Sequence, residues 1–238
     1  MRVALLSDIH SNLQALEAVM ESLRTHRVDK IVVLGDIVGY NANPVECIQR
    51  VKQVADISLL GNHDAAALNP DSARFFNANA KAGLNHTIKH LGNDEIQYLK
   101  ELQPKVDAEF DKVRFSLVHG SMRDPLSEYV FPGMAATMLE WLHARLPDDG
   151  PRVVAQGHTH IPMYLTKASG RTYPIHLVNP GSVGQPRDGD PRASFAIFDT
   201  STRMPTFHRV AYDIQGAVRA NEAAQLPKDL SRLLILGS

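Results

Sequence analysis

The feature that most restricts the fold of this chain is a strand–loop–helix unit that recurs from its first residues. Arg2 to Leu6 reads as a strand and Ser7 to His10 as a loop. A helix follows, with the apolar stripe Leu13, Leu16, Met20 and Leu23. Ser11 with Gln14 three residues on predicts a capping box at its start. The unit repeats as a strand at Lys30 to Leu34, a loop at Gly35 to Asn43, and a helix opened by Asn43, with Pro44 first and Glu46 completing the cap. A third strand, Asp56 to Leu60, ends in Gly61-Asn62-His63-Asp64. Ser72 to Leu102 then reads as one or two helices with breaks near Gly83 and Gly92. Parallel strands beneath helices are the natural product of such a run.

The second half is richer in strands: Val106 to Phe110, Val113 to Val118, Arg152 to Ala155, Pro174 to Val178, Ser194 to Phe198 and Thr206 to Ala211. One helix, about Ala135 to Leu146, interrupts them. Asp111-Lys112 is short enough to join its flanking strands in a tight hairpin, which makes the sheet mixed rather than purely parallel. With 238 residues, no Gly/Ser-rich linker and no internal repeat, the expectation is one domain spanning 1–238. A short helical tail closes it at about 214–238, its helix at Leu226 to Leu236.

Charge says little about the partner, because 25 Lys and Arg face 26 Asp and Glu. Bulk positive charge for a stable nucleic-acid complex or an anionic membrane is therefore not expected. No uninterrupted apolar run approaches the roughly 20 residues of a membrane span, and no secretory leader is legible. The one cysteine, Cys47, lies beside Val45, Ile48 and Val51 on an amphipathic helix, where burial explains it better than reactivity. The expected location is the cytoplasm.

Metal-ligand residue types stand just past successive strands, where open α/β sheets bind their ligands. Asp8 and His10 follow the first, Asp36 the second, Asn62 and His63 the third, His119 the strand at Val113 to Val118, and His158 and His160 the one at Arg152 to Ala155. The i, i+2 spacing of Asp8/His10 and of His158/His160 puts each pair on one side of an extended backbone. Nitrogen and oxygen donors without a thiolate favour Mn, Fe, Co, Ni or Zn over Mg or Ca. Setting His63 aside, the seven others exceed what one tetrahedral ion takes, whereas two ions about 3.5–4 Å apart that share a carboxylate would use them all. Two divalent ions against two carboxylates leave a positive site that welcomes an anion such as phosphate.

The ordered set Asp8-Ile9-His10, Gly35-Asp36, Gly61-Asn62-His63-Asp64, His119 and Gly157-His158-Thr159-His160 resembles the calcineurin-like metallophosphoesterase superfamily, with every ligand position filled. The likeness runs from Met1 to about Asp213 and narrows to the small bacterial phosphodiesterase branch, some members of which resemble diadenosine tetraphosphatases. It is carried there by Phe76-Asn77-Ala78, by His119-Gly120-Ser121 with Arg123-Asp124-Pro125, and by Asn179-Pro180-Gly181-Ser182 through Arg187. The resemblance implies an α/β fold, a two-sheet mixed β-sandwich flanked by helices. It implies two divalent transition-metal ions, Mn first, with one held by Asp8, His10, Asp36 and His160 and the other by Asp36, Asn62, His119 and His158. It further implies attack by a metal-bridging hydroxide on a small phosphodiester, a dinucleoside polyphosphate or cyclic nucleotide among the candidates. His63 would protonate or stabilise the leaving oxygen and Asp64 would orient its imidazole, while Arg123, Asn179, Ser182 and Arg187 are candidates for phosphate contacts. Relatives are commonly dimers, so a homodimer is expected. The chain departs from them at Asn85-His86-Thr87, where Trp-Thr-Arg is frequent, on a helix that is a candidate pocket wall.

Singly, each residue has an ordinary reading: Asp8 as a helix cap, Asn62 in an Asx turn, His119 as a satisfied polar group. His26, His90, His143, His176 and His208 lie outside the motifs and read as core or surface residues. Two other functions share the motifs. A serine/threonine-type protein phosphatase needs a peptide-docking insertion that this short chain does not offer, and a silent metal-binding scaffold would be expected to lose ligands that are all present here.

Overall fold

In the computed structural model, which describes residues 1–168 and 170–238, ten strands form two sheets of five. The strands are β1 (Arg2–Leu6), β2 (Lys30–Val33), β3 (Ile57–Ser58), β4 (Lys105–Phe110), β5 (Val113–Val118), β6 (Arg152–Ala155), β7 (Met163–Lys167), β8 (Ile175–Asn179), β9 (Ala193–Asp199) and β10 (Met204–Val210). One sheet has the order β10-β9-β1-β2-β3 and the other β4-β5-β6-β8-β7. Within the first, β1, β2 and β3 run parallel; within the second, β5, β6 and β8 do. The helices are α1 (Leu13–His26), α2 (Pro44–Val54), α3 (Asn62–Leu68), α4 (Ala78–His90), α5 (Asn93–Glu101), α6 (Ala135–Arg145), α7 (Ile214–Ala223) and α8 (Lys228–Leu236).

Alternation along the strands builds the layers. Val3 and Leu5 of β1 face Phe115 and Leu117 of β5 and Phe198 of β9 between the sheets. Ala4 and Leu6 turn the other way, onto Leu16 and Val19 of α1 and Ile48 and Val51 of α2. On the outer face of the second sheet, Val154 and Leu177 meet Met138 and Leu142 of α6. The result is the expected two-sheet sandwich with helices outside, and strands buried on both faces read as continuous apolar runs. No helix among the described residues is long and apolar enough to cross a membrane.

Several local expectations need correction. Asn12, not Ser11, caps α1: its Oδ1 accepts from the Ala15 N–H at 3.1 Å, while Ser11 is held at φ 55°. Asn43 occupies the cap of α2 and Pro44 its first turn, but the Asn43 side chain makes no capping bond. Gly61-Asn62-His63-Asp64, read as the end of the third strand, opens the helix α3, with the Gly61 N–H donated to Asp64 at 3.0 Å. The break expected at Gly92 separates α4 from α5, whereas Gly83 lies inside α4. A Cβ at Gly83 would sit 2.4 Å from the Tyr40 backbone, so this glycine allows a helix to press against a loop. The strand β7 had no counterpart in the sequence reading, and the helical tail expected at 214–238 is two helices, α7 and α8. The Asp111-Lys112 hairpin is present, with φ of 51° and 63°, the left-handed pair that a two-residue turn between twisted strands requires.

Candidate metal centre

The parallel strands of both sheets deliver their C-terminal ends to one edge, and backbone hydrogen bonds lace the loops that follow. Asp8 N–H donates to Gly35 O at 3.1 Å, His10 N–H to Asp36 O at 2.9 Å and Gly157 N–H to His119 O at 2.8 Å. Val183 and Gly184 donate to Ser7 O and Asp8 O, tying the segment after β8 to the loop after β1. Asp8, His10, Asp36, His158 and His160 all take left-handed φ, between 49° and 68°. Each such residue costs about 1–3 kcal/mol and persists only where the surroundings over-determine it. Gly61 keeps the floor compact, since a Cβ there would lie 2.1 Å from Asp36 Oδ1.

Three overlapping groups bring their ligand atoms within 4.8 Å of one another: Asp8/His10/His160, His10/Asp36/His63 and Asp36/His119/His158. Asp36 Oδ2 lies 3.5 Å from His10 Nε2 and 3.4 Å from His119 Nε2, so one oxygen faces both sides. On the first side, His160 Nε2 is 3.1 Å from His10 Nε2 and 3.4 Å from Asp8 Oδ1. On the second, His119 Nε2 is 3.0 Å from Asn62 Oδ1 and 3.1 Å from His158 Nδ1.

The outer nitrogens settle which inner nitrogens carry protons. His10 Nδ1 faces Val38 O at 3.1 Å, His119 Nδ1 faces Leu34 O at 2.9 Å, His160 Nδ1 faces Gln185 O at 2.6 Å and His158 Nε2 faces Ser127 O at 3.3 Å. A carbonyl only accepts, so each outer nitrogen holds the hydrogen and each inner nitrogen of a neutral ring presents a lone pair. Neutral rings would therefore set lone pair against lone pair at 3.1 Å on both sides of Asp36, and Asp8 Oδ1 is buried without a hydrogen-bond partner. Only a cation or an added proton relieves such an arrangement.

The protonation balance shows the same tension. Burial holds His10 and His160 well below the usual imidazole range and pushes His158 down to about 3. Burial also opposes charge on His119, but attraction to Asp36 and Asp8 and the bond to Asp36 outweigh it and lift the ring to about 9. Asp8 rises to about 7 through burial, with repulsion from Asp36 adding to it. Asp36 stays well below the carboxylate range because His119, His63 and His10 outweigh its burial.

The remaining predicted residues divide. The His63 ring packs between Tyr40 and Phe76, at centroid distances of 4.7 and 4.4 Å, and lies edge-on to His10 at 4.8 Å. Burial pushes it down to about 4, and its Nδ1 has no hydrogen-bond partner. Asp64 corrects the expectation that it orients this imidazole: its carboxylate accepts from the N–H groups of Ile37, Val38 and Gly61 and thereby fixes the loop that carries Asp36. Asn179 and Ser182 are likewise corrected from phosphate contacts to supports. Asn179 Nδ2 donates to Gly157 O and Thr159 Oγ1 at 2.7 and 2.9 Å, and Ser182 Oγ donates to Asp8 O at 2.7 Å, both residues being fully buried. Arg123, expected at the phosphate, is engaged by Glu128 and lines a separate groove with Val130 and Met138. Arg187 is different, because Asp188 pairs with Arg209 instead. Its Nη2 donates to Tyr40 Oη at 3.1 Å and its backbone N–H to His160 O, which holds the guanidinium beside the metal-ligand cluster.

Sequence reasoning missed Tyr40 and Tyr129. Tyr40 flanks both His10 and His63, and Tyr129 stacks on His158 at 3.8 Å. Gly39-Tyr40, three residues past Asp36, carried the only local signal: at Gly39, with φ 95°, a Cβ would lie 2.5 Å from His63 Nδ1.

Comparison with known proteins agrees with this geometry. A family profile described as the calcineurin-like phosphoesterase superfamily domain matches residues 1–203. An uncharacterised protein of Methanocaldococcus jannaschii is 34% identical over 246 residues, covering 99% of this chain and 98% of its own length. The phosphodiesterase YfcE of Escherichia coli K12 is 25% identical over 209 residues, covering 84% and 88%. A metallophosphoesterase from Sphaerobacter thermophilus superposes with a TM-score of 0.82 at 38% identity, over 100% of this chain and 99% of that one. A protein from Pyrococcus horikoshii OT3 shares the fold at a TM-score of 0.84 and 22% identity, over 100% and 98%.

Proposed function

Since the chain belongs to the calcineurin-like phosphoesterase superfamily and is a metal-dependent phosphoester hydrolase, we propose that it works with two divalent ions and cleaves small phosphodiesters. The observation that carries two ions rather than one is the pair of converging ring-nitrogen sets, each with Asp36 Oδ2 in reach. Asp8, His10, Asp36 and His160 would hold one ion, and Asp36, Asn62, His119 and His158 the other. The family resemblance puts Mn²⁺ first, and this thiolate-free set of nitrogen and oxygen donors also admits Fe, Zn, Ni and Co. Ions bound there would supply positive charge for phosphoryl oxygens and a source of hydroxide at neutral pH.

The chain's own residues supply the rest. Held neutral by burial, His63 offers an N–H to the leaving oxygen rather than a full positive charge. Arg187, steadied on the Tyr40 ring at 5.6 Å, orients a nonbridging oxygen. Diesters are preferred to phosphoproteins because the opening beside Asn62 and His158 is a pocket of 360 Å³, sized for one small arm. Dinucleoside polyphosphates and cyclic nucleotides are the finer candidates.

The test is hydrolysis of bis-p-nitrophenyl phosphate beside p-nitrophenyl phosphate by chelator-stripped protein, with Mn²⁺, Ni²⁺, Zn²⁺ or Mg²⁺ restored. Diester cleavage that returns with metal and vanishes in Asp36→Asn is the expected result. Silence on both substrates with ions bound, or phosphopeptides cleaved faster than diesters, would contradict it.

A further inference from the structure

The 360 Å³ pocket opens from Asn62 and His158 and runs outward between the turn Pro70–Phe75 and the loop 120–131. Its walls are Phe75, Phe76, Leu126 and Tyr129, and no charged side chain lines it among the described residues. Two of these aromatics are presented rather than packed away. Phe75 is 85% exposed and Tyr129 43% exposed, and the Tyr129 ring continues a stack from His158, at 3.8 Å, to Phe131, at 5.5 Å and only 5° from coplanar. Large aromatic rings left in water beside a catalytic floor are surface that a ligand can cover. The cationic group near the floor, Arg187, lies instead on the side of Tyr40 and His160. A phosphate above Asp36 thus has the Arg187 guanidinium on one flank and on the other an aromatic cleft without charged lining, the Arg74 guanidinium lying over the Phe75 ring at 4.6 Å.

We propose that this cleft is a base-binding subsite, in which one planar heteroaromatic arm of the substrate, a nucleobase, stacks on Phe75 and packs against the exposed edge of Tyr129 while its phosphate lies over the metal-ligand residues. The assignment rests on the phosphoesterase reading of the site. Its small volume admits one ring system with its linker, and the lack of charged lining groups suits a neutral base rather than a second phosphate. Stacking on exposed aromatics depends little on which base is present, so Phe75 and Tyr129 set the class of substrate rather than a single base.

Calorimetric titration of the Mn²⁺-loaded protein with adenosine 5′-monophosphate and with ribose 5-phosphate tests this, because the second carries an anomeric hydroxyl where the first carries its base. The nucleotide should bind about tenfold tighter or more. In Phe75→Ala and in Tyr129→Leu the ratio of the two affinities should fall toward one. Equal affinities in the unsubstituted protein, or a ratio that survives both substitutions, would overturn the subsite. Hydrolysis of bis-p-nitrophenyl phosphate, measured in parallel, reports separately on the phosphoesterase reading, so a protein that cleaves the diester but ignores the base rejects the subsite alone.

Discussion

The metal-ligand side chains hang from the ends of β1, β2, β5 and β6 and the start of α3, whereas the aromatic side chains above them sit on the turn Pro70–Phe75 and the loop 120–131. The floor is tied down by backbone hydrogen bonds from loop to loop, such as Asp8 N–H to Gly35 O and Gly157 N–H to His119 O. The wall is closed by short local contacts instead: Gly120 N–H to Pro125 O and Ser121 N–H to Asp124 O within the loop, Ser121 and Arg123 on Glu128, and Tyr129 against Phe131. A floor cross-linked between distant strands resists most substitutions around it, while a wall closed by local contacts is re-cut by a few. Reaction type therefore belongs to the floor and substrate choice to the wall.

That division can be broken by experiment, and the largest effect is expected at the oxygen both clusters share. Asp36→Asn should lower kcat on bis-p-nitrophenyl phosphate by about 10³-fold or more, since it weakens both ion positions at once. His63→Gln should cost about 10²-fold in kcat while metal content, counted by plasma mass spectrometry, stays; loss of the ions from a folded variant would make His63 a ligand instead. Asn179→Ala removes the donor to Gly157 O and Thr159 and leaves the His158–His160 turn unsupported. It should weaken Mn²⁺ affinity about 10–100-fold with little change in diester preference. The smallest catalytic effect is expected from the C-terminal helices. Leu230 of α8 packs on Tyr40 with Phe76 alongside, so Leu230→Ala should lose about 2–5 kcal/mol of stability in denaturant titration. Its kcat should shift only a fewfold, and a large catalytic loss with stability intact would make that helix part of the working site.

The same contrast explains what could be read in advance. Asp8-Ile9-His10, Gly61-Asn62-His63-Asp64 and His158-Thr159-His160 are contiguous, and each follows an apolar strand, so the floor was legible almost residue by residue. The wall was not, because Phe75, Leu126 and Tyr129 meet only through folding and none carries a spacing signal. Asn179 and Ser182 stand in a motif beside the site yet turn their polar atoms inward to backbone carbonyls, which no local pattern reveals. The edge strand β7 mixes Tyr164, Thr166 and Lys167 without a clean alternation and pairs with β8 along one side only. The two apolar layers around β1 were easier, since a strand buried on both faces is a plain hydrophobic run.

The most direct test of the shared carboxylate is the electron paramagnetic resonance spectrum of chelator-stripped protein reloaded with Mn²⁺ to saturation. Two ions joined through Asp36 predict an exchange-coupled signal that Asp36→Asn abolishes. A saturated protein showing only isolated, uncoupled Mn²⁺ would contradict the account.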